Sequence, residues 1–190
     1  GSLHKPLYDR IMATQNNKLL AYLPLNDTSG TTAKNYAPAR ANINLFADPG
    51  FEIPGTSVPF SKWSVTGTGT VTRTTVAGEF HSGSSAVKIT STGTQTKIQQ
   101  QIITIPGANY TLTGWARGDG INSPYLQIAR QDFGVWIVAP KSLGITGTTW
   151  EQFTQTFTIP TTGTTSIFIN FYTSVNGSAV YLDDLSLTTT

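Results

Sequence analysis

Acidic side chains are concentrated in two short segments of a chain that has only ten acidic residues. The segment NLFADPGFE contains Asp48 and Glu52, and the segment VYLDDLSL, close to the last residue, contains Asp183 and Asp184. Neither segment offers a cysteine or histidine, so the donors are hard oxygens, the kind that calcium binds about six to eight at a time. The pattern favours a calcium site if the two segments meet in the fold. The alternative is that these are ordinary solvated acids at a sheet edge.

The two segments would meet if they were the first and last strands of a β-sandwich, which commonly pair. Glu52 would then lie close to Asp183. Because side chains alternate between the two faces of a strand, Asp183 and Asp184 should point in opposite directions. The sequence therefore predicts that only one aspartate of the pair faces the first strand.

From Ile43 onward the sequence reads as short strands separated by turn residues, with no helical segment between them. Thr and aromatic residues suit a pleated sheet, and Gly and Asn suit turns. Many short strands at this spacing predict an all-β fold, a β-sandwich jelly roll of two antiparallel sheets spanning residues 43–190. The ten strand candidates are WSVTG, TVTRTTV, SAVKITS, KIQQQIITI, NYTLTGWAR, YLQIARQ, VWIVAP, EQFTQTFTI, TSIFINFYT and AVYLDDLSL.

Residues 1–42 differ from the rest and are predicted to be an N-terminal extension or linker. PLYDRIMATQNNKLLAYL has apolar spacing compatible with an amphipathic helix, which Pro24 would end. Gly1 and Ser2 look like an expression scar, and no signal peptide is present, so any targeting segment of the native protein is expected to have been cut away.

Composition excludes several classes of function. The formal net charge of +2 is small and dispersed, with no Lys/Arg cluster, which argues against nucleic-acid binding. Cysteine is absent, which excludes disulfides and thiol catalysis. No apolar run approaches the ~18 residues of a membrane helix, so membrane insertion is not expected.

Catalytic constellations are also missing, and the sequence predicts a protein that is not an enzyme. There are two histidines; His4 lies beside the scar, and His81 precedes a strand, where a packed structural role is expected. Asp132 and Glu151 could form a carboxylate pair, but nothing around them supports one. No nucleophile elbow, zinc-binding helix or phosphate-binding loop occurs.

Six segments occur in the order found in carbohydrate-binding modules of the family 4/9/22 type, and residues 43–190 resemble such a module. The resemblance implies a jelly roll with a structural Ca²⁺ held between the first strand, an SG turn and the last strand. It implies as ligands the Gly50 carbonyl, the Glu52 side chain, the Ser85 carbonyl and Asp183, with Asp48 and Asp184 as second choices. The segments are NLFADPGFE, WSVTGTGTVTR, HSGSSAVKI, ITIPGANYTLTGWAR, TTWEQFTQTFTIP and VYLDDLSL.

Modules of this type bind sugar in a cleft across one sheet, by aromatic stacking and by hydrogen bonds from amides or guanidinium groups. Alternation places Leu126 and Ile128 toward the core and Gln127 on the opposite face. Trp136 could equally be core, and Arg130 an ordinary surface arginine, whereas Trp63 and Trp150 are expected in the core. The predicted sugar-binding residues are Phe133, Trp136, Arg130, Gln127, Gln131, Gln99, Asn170 and Tyr172.

The N-terminal stretch NKLLAYLPLNDTSGTTAKNYA resembles the start of a concanavalin-like lectin domain of phage tail and other surface proteins. Two functions follow as expectations. The first is a non-catalytic module that binds a polysaccharide or oligosaccharide and acts as a monomer when excised from a larger multidomain protein. The alternative is a structural or adhesion domain of a phage tail or cell-surface protein that mediates protein assembly. Either would be extracellular, on a cell surface or on a virion.

Overall fold

The computed structural model describes residues 43–55, 59–132 and 134–190. The predicted extension, residues 1–42, lies outside the described residues, as does Phe133. The described part contains no helix long and apolar enough to cross a membrane. It has ten strands, each of which overlaps one predicted candidate: β1 Ser64–Thr66, β2 Thr70–Thr74, β3 Ala86–Thr90, β4 Thr96–Ile103, β5 Asn109–Arg117, β6 Tyr125–Arg130, β7 Trp136–Ser142, β8 Glu151–Thr158, β9 Ser166–Thr173 and β10 Ala179–Thr189.

The strands form two five-stranded sheets, which confirms the predicted sandwich. We call the sheet with the order β1-β4-β9-β6-β7 the front sheet, and the sheet with the order β2-β3-β10-β5-β8 the back sheet. All the strand pairs are antiparallel. Since β9 pairs with both β4 and β6, it lies at the centre of the front sheet.

The core lies between the sheets, and alternation along the strands places most of its residues. In the front sheet, Leu126 and Ile128 of β6 and Ile169 of β9 are fully buried in the core cluster, as predicted. Phe171 of β9 meets Phe153 of the back sheet edge-on, with ring centroids 5.8 Å apart. Because neighbouring residues on a strand point to opposite faces, the side chains between these core residues belong to the outer face of the front sheet.

The glutamine run in β4 shows how alternation divides a uniform segment. Gln100 has the parity of the core residue Ile98 and is buried, and its amide exchanges two hydrogen bonds with the backbone of Ala47, at 2.8 and 2.9 Å. Gln99 and Gln101 have the opposite parity and belong to the outer face. The middle glutamine therefore anchors the start of the domain.

The segment NLFADPGFE, predicted as the first strand, is not a strand in the structure. Asp48 and Phe51 have φ values of 55° and 56°, left-handed conformations that interrupt an extended chain. The segment nevertheless runs beside β10, since Leu45 N donates to Leu187 O and Leu185 N donates to Pro49 O, at 2.8 and 2.9 Å. The expected neighbourhood of the two acidic segments is therefore correct, although the predicted strand was wrong.

The tryptophans divide between the core and the surface. Trp63 is buried in the core cluster against Phe46 and Phe51, as predicted. Trp150 is half-buried and lies outside that cluster, so its predicted core position was wrong. Its ring packs edge-on against Tyr181, at a centroid distance of 6.5 Å, and Tyr181 alternates with core residues of the back sheet.

Candidate functional site

Three predicted amides form one row across the outer face of the front sheet. Gln99 of β4 pairs with Asn170 of β9, and Asn170 pairs with Gln127 of β6. Adjacent strands lie about 4.8 Å apart, so the three Cα atoms span roughly 10 Å. We call Gln99, Asn170 and Gln127 the amide row.

The amide row carries hydrogen-bonding capacity that the described part of the chain does not use. Asn170 is 0% exposed and Gln127 4%, although both face away from the core. The side-chain oxygens Gln99 Oε1 and Asn170 Oδ1 are buried and accept no hydrogen bond, whereas Asn170 Nδ2 donates to Phe168 O at 3.2 Å. A buried acceptor without a donor costs free energy, so these two oxygens favour any ligand that brings hydroxyl or N–H groups.

A pair of tyrosines borders the amide row on one side. Tyr172 pairs with Tyr125 across β9 and β6, and their rings stack at 5.2 Å with an interplanar angle of 28°. Burial and the nearby Tyr125 raise the pKa of the Tyr172 phenol, although a hydrogen bond with Gln95 opposes them. Lys97 pairs with Tyr172 from β4 and completes this row, which we call the tyrosine row.

Aromatic side chains border the amide row on the other side as well. Ala129 pairs with Phe168 of β9 and with Trp136 of β7, and we call these three residues the tryptophan row. Trp136 is 45% exposed, so its alternative as a core residue is wrong. Residues two apart on a strand are separated by roughly 6.7 Å, which places the amide row between two aromatic borders about 13 Å apart.

The remaining predicted residues do not join the amide row. Arg130 ends β6 with the parity of core residues, and its Nη2 lies 2.6 Å from Asp132 Oδ2. Gln131 follows the strand, and its Nε2 donates to Gly163 O at 3.0 Å. Phe133 lies outside the described residues, so its predicted role stays a prediction. Tyr125, Phe168 and Lys97 were absent from the predicted set, although the same alternation identifies them.

The second candidate site surrounds Gly50, where the two acidic segments meet. A methyl group built on Gly50 would lie 3.8 Å from Asp183 Oδ1 and 3.7 Å from Asp184 Oδ1, so both aspartates face this point. The prediction that only one could do so was wrong, because a β-bulge interrupts the register between Asp183 and Ser186. Asp184 has a φ of 47°, which breaks the alternation of side chains.

Asp183 is a fully buried carboxylate held by backbone amides. Its Oδ2 accepts hydrogen bonds from His81 N and Ser82 N at 2.8 and 3.2 Å, and its Oδ1 accepts one from Asp184 N at 2.8 Å. Burial, together with the negative charge of Asp184, outweighs these hydrogen bonds and raises the pKa of Asp183 to about 6. No lysine or arginine in the described part of the chain forms an ion pair with it.

Glu52 is held instead by Ser84 and Ser85, which directly follow the SG turn at Ser82 and Gly83. Ser84 N and Ser85 N donate to Glu52 Oε1 at 2.9 and 3.2 Å, and Ser84 Oγ donates to Oε2 at 2.6 Å. Burial disfavours its charged form, but the hydrogen bonds from Ser84 and Ser85 prevail and lower the pKa of Glu52. Asp48 closes its own turn, since its Oδ1 accepts from the backbone N–H groups of Glu52 and Ile53.

The donor chemistry around Gly50 fits a hard cation, with one condition. Among the described residues, no three acidic or histidine side chains are grouped so that they could hold a metal by themselves. A cation here would need backbone or water oxygens besides the carboxylates of Glu52 and Asp183, and calcium accepts such a mixed oxygen set. The observation that favours a cation is the buried carboxylate of Asp183, with which no basic side chain of the described residues forms an ion pair.

The outer face of the back sheet carries a different cluster, in which the carboxylate, the ammonium and the phenol have partners within the domain, although Arg117 Nε and Trp150 Nε1 are buried without one. His81 stacks on Trp115 at 3.8 Å and 14°, and its Nδ1 lies 2.7 Å from Asp184 Oδ2, which confirms its predicted packed role. Lys88 Nζ and Tyr181 Oη both donate to Glu79 Oε1 at 2.9 Å. Arg117 lies 4.6 Å from the centre of the Tyr181 ring. The residues that we call the back-face cluster are Glu79, His81, Lys88, Trp115, Arg117 and Tyr181.

Comparisons with known proteins agree with this architecture. A relative, Exochitinase 1 of Streptomyces olivaceoviridis, is 30% identical over 162 residues, which cover 84% of this chain and 24% of that protein. The chain thus spans about a quarter of that relative's length. Among solved structures, TmCBM61 in complex with β-1,4-galactotriose has a TM-score of 0.56 at 21% identity, covering 78% of this chain and 99% of that one.

A second similar structure is the enzymatically active domain of tailspike protein 4 of bacteriophage CBA120. Its TM-score is 0.59 at 19% identity, covering 78% of this chain and 22% of that one. At these identities both structures establish the fold alone. The family model described as a carbohydrate binding domain, CBM_4_9, matches residues 44–176, more than half of the chain. The chain therefore belongs to the CBM_4_9 family of carbohydrate-binding domains.

Proposed function

We propose that this domain is a non-catalytic carbohydrate-binding module that holds a glycan chain against the outer face of the front sheet. The observation that carries the proposal is the amide row, in which Gln99 Oε1 and Asn170 Oδ1 are buried acceptors without donors. A sugar presents hydroxyl groups around its ring and C–H groups on its faces. The amide row matches the hydroxyls, and the aromatic residues on both sides match the C–H faces.

Structural Ca²⁺ belongs to the same proposal. The ligands would be the carboxylates of Glu52 and Asp183 with the carbonyls of Gly50 and Ser85, supplemented by water, and Asp184 is close enough to contribute. The ion would neutralise the buried charge of Asp183 and link residues 43–52 to β10. It would stabilise the fold and take no part in sugar recognition, since the amide row lies on the other sheet.

The test is a binding screen by titration calorimetry against xylans, β-glucans, mannans and a glycan array, with a calcium-loaded and folded sample. A Gln99→Ala, Gln127→Ala double variant is expected to lose binding. Gln152→Ala is the matched control, because Gln152 is an exposed glutamine of β8 in the back sheet. The proposal would be contradicted if the wild-type protein bound none of these glycans, or if the double variant bound as tightly as the wild type.

A second function is favoured by the similarity to the phage tailspike, which is the alternative named above. In that case the domain is a structural or adhesion element of a phage tail or cell-surface protein, and the front face is covered by a neighbouring chain. With either function, the domain would belong to a larger protein that is extracellular or lies on a cell or virion surface. If the domain is a carbohydrate-binding module, we expect it to be a monomer in isolation. Analytical ultracentrifugation separates them: a concentration-dependent oligomer that Trp136→Ala dissolves supports the assembly role.

A further inference from the structure

The basic side chains of the described residues can be sorted by their partners. Three of the seven lysines and arginines form ion pairs, namely Arg73, Lys88 and Arg130. Two more are bound by neutral groups, since Arg117 donates to Gly78 O and Lys141 donates to Gln155 Oε1. The other two are Lys62, which is exposed, and Lys97, which is half-buried. Among the described cations, Lys97 is thus the half-buried one whose ammonium has no hydrogen-bond or ion-pair partner.

The strand register places Lys97 at the border of the proposed sugar-binding face. It pairs with Tyr172 and stands two residues before Gln99 on β4, so its side chain shares a face with both. Burial is the sole influence on its ammonium and lowers the pKa of Lys97. A cation that loses water without gaining an anion is destabilised, and a ligand that supplies the anion removes that cost.

The acids of the described residues all lie elsewhere. Four surround Gly50 and one belongs to the back-face cluster. The others are Asp119, which binds Asn122 in the loop after β5, Asp132, which pairs with Arg130, and Glu151, which begins β8. Lys97 is therefore the one charged side chain of the amide row and the tyrosine row, and no carboxylate of the described residues forms an ion pair with it.

We propose that the natural ligand is an acidic glycan whose anionic substituent binds the Lys97 ammonium beside the tyrosine pair, while the amide row binds the hydroxyls of the chain. This inference rests on the function proposed above and adds the class of ligand. The shared chemistry is an oxyanion on a sugar, which a uronic-acid carboxylate or a sulfate ester supplies. The fold fixes only which positions face outward. It does not require a lysine at position 97 or a preference for acidic glycans.

The experiment compares each acidic polymer with its own neutral form. Glucuronoxylan, pectate and alginate are titrated beside their carboxyl-reduced counterparts, and chemically sulfated xylan distinguishes the second source of the anion. Lys97→Met removes the charge and keeps the length of the side chain, and Lys62→Met is the control at an exposed lysine. Thermal denaturation verifies that both variants are folded.

The wild-type protein is expected to bind at least one acidic polymer about tenfold more tightly than its reduced form. The difference should shrink with added salt. It should also fall below about twofold in Lys97→Met and persist in Lys62→Met. A stronger preference for the sulfated chain that Lys97→Met likewise removes supports the inference with sulfate as the anion.

Two results would overturn this inference while leaving the proposed function intact. In one, the protein binds neutral and acidic forms equally and the amide-row double variant loses both. In the other, the preference for acidic polymers survives Lys97→Met. Absence of binding to every glycan, neutral or acidic, would overturn both the inference and the proposed function.

Discussion

The two outer faces of this sandwich differ in which polar groups have partners, since the charged groups of the back face are paired, although Arg117 Nε and Trp150 Nε1 there are not. On the back sheet, the Glu79 carboxylate accepts hydrogen bonds from Thr74, Lys88 and Tyr181, and the Trp115 ring is covered by His81. On the front sheet, the amide row leaves two buried acceptors without donors, and the Lys97 ammonium forms no hydrogen bond or ion pair with the described residues. Both faces are made of alternating strands, so secondary structure does not cause the difference.

The difference separates a surface that stabilises the domain from a surface suited to a ligand. Polar groups that hydrogen-bond within the chain contribute to the free energy of unfolding. Removing one partner leaves the other buried without a hydrogen bond. Polar groups without a hydrogen-bond partner lower the stability of the free protein. A ligand that bonds to them restores this stability in the complex. Substitutions on the back sheet should therefore change stability, and substitutions on the front sheet should change binding.

The largest effect is expected where β10 of the back sheet meets residues 43–52. Asp183→Ala would leave the backbone N–H groups of His81, Ser82 and Asp184 without their acceptor in a buried site. We expect the free energy of unfolding to fall by about 3 kcal/mol or more, measured by urea denaturation.

The isosteric Asp183→Asn is the control for this experiment, and a chelator tests the calcium proposal in parallel. Asparagine keeps an acceptor oxygen, so Asn should cost less than Ala in the presence of chelator. Chelator should lower the melting temperature of the wild type and leave that of Asp183→Ala unchanged. A wild-type melting temperature indifferent to both chelator and added calcium would contradict the calcium proposal.

The next largest effect concerns the dependence of stability on pH. Burial opposes the charge of Glu79, but hydrogen bonds from Thr74, Lys88 and Tyr181 prevail and lower its pKa from 4.5 to about 2. A carboxylate with a depressed folded pKa adds stability above its unfolded pKa and loses it as the pH falls through the folded value. Its contribution, on the order of 3 kcal/mol, should be complete above pH 4.5 and lost progressively toward pH 2.

Urea denaturation from pH 7 to pH 2 checks this contribution, with Glu79→Gln as the reference. The variant should be less stable at pH 7 and should lose its deficit at pH 2. Glycan affinity of Glu79→Gln at pH 7 should equal that of the wild type. If this variant bound glycan more weakly while remaining folded, the division between the two faces would be wrong.

For Asn170→Ala we expect a smaller change in free energy. The change should affect glycan binding and not the stability of the fold. The substitution removes the central amide of the row and its unsatisfied Oδ1. Glycan affinity should fall about tenfold, equivalent to about 1.4 kcal/mol, while the free energy of unfolding changes by less than about 1 kcal/mol. Calorimetric titration and urea denaturation of one sample measure both quantities, and a loss of stability larger than the loss of binding would contradict the comparison.

The smallest effect is expected for Trp136→Ala. Because the indole is 45% exposed, it contributes little to the core, and stacking on a sugar ring should account for about 1 kcal/mol, or roughly fivefold in affinity. Tryptophan fluorescence during titration provides the measurement. The wild-type spectrum should shift on binding, and the part of the shift due to Trp136 should vanish in the variant.

Alternation alone predicted much of this molecule. The ten strand candidates, the inward positions of Leu126 and Ile128 and the outward positions of Gln99 and Asn170 follow from a period of two, which depends only on the order of residues. The same rule would have identified Lys97, two positions before Gln99. The predicted set of sugar-binding residues did not include it.

Local irregularities were not predictable in the same way. The bulge that turns both Asp183 and Asp184 toward Gly50 depends on how β10 pairs with β5, which are distant in sequence. The left-handed residues Asp48 and Phe51 interrupted a segment whose composition suggested a strand. Trp150 was assigned to the core from the resemblance to carbohydrate-binding modules, but its place beside His81 and Tyr181 arises from packing between strands.

The all-β class, the strands and the face of most strand residues could thus be predicted from the sequence, because these follow from local alternation and turn chemistry; Asp184, at the bulge in β10, is the exception. Which outward side chains lie in one row, and which of them have hydrogen-bond partners, depends on how distant strands pair in the fold. Strand order and register bring Gln99, Asn170 and Gln127 together from three separate strands. Hydrogen-bond satisfaction is a property of such neighbours in space, and no segment of sequence contains it.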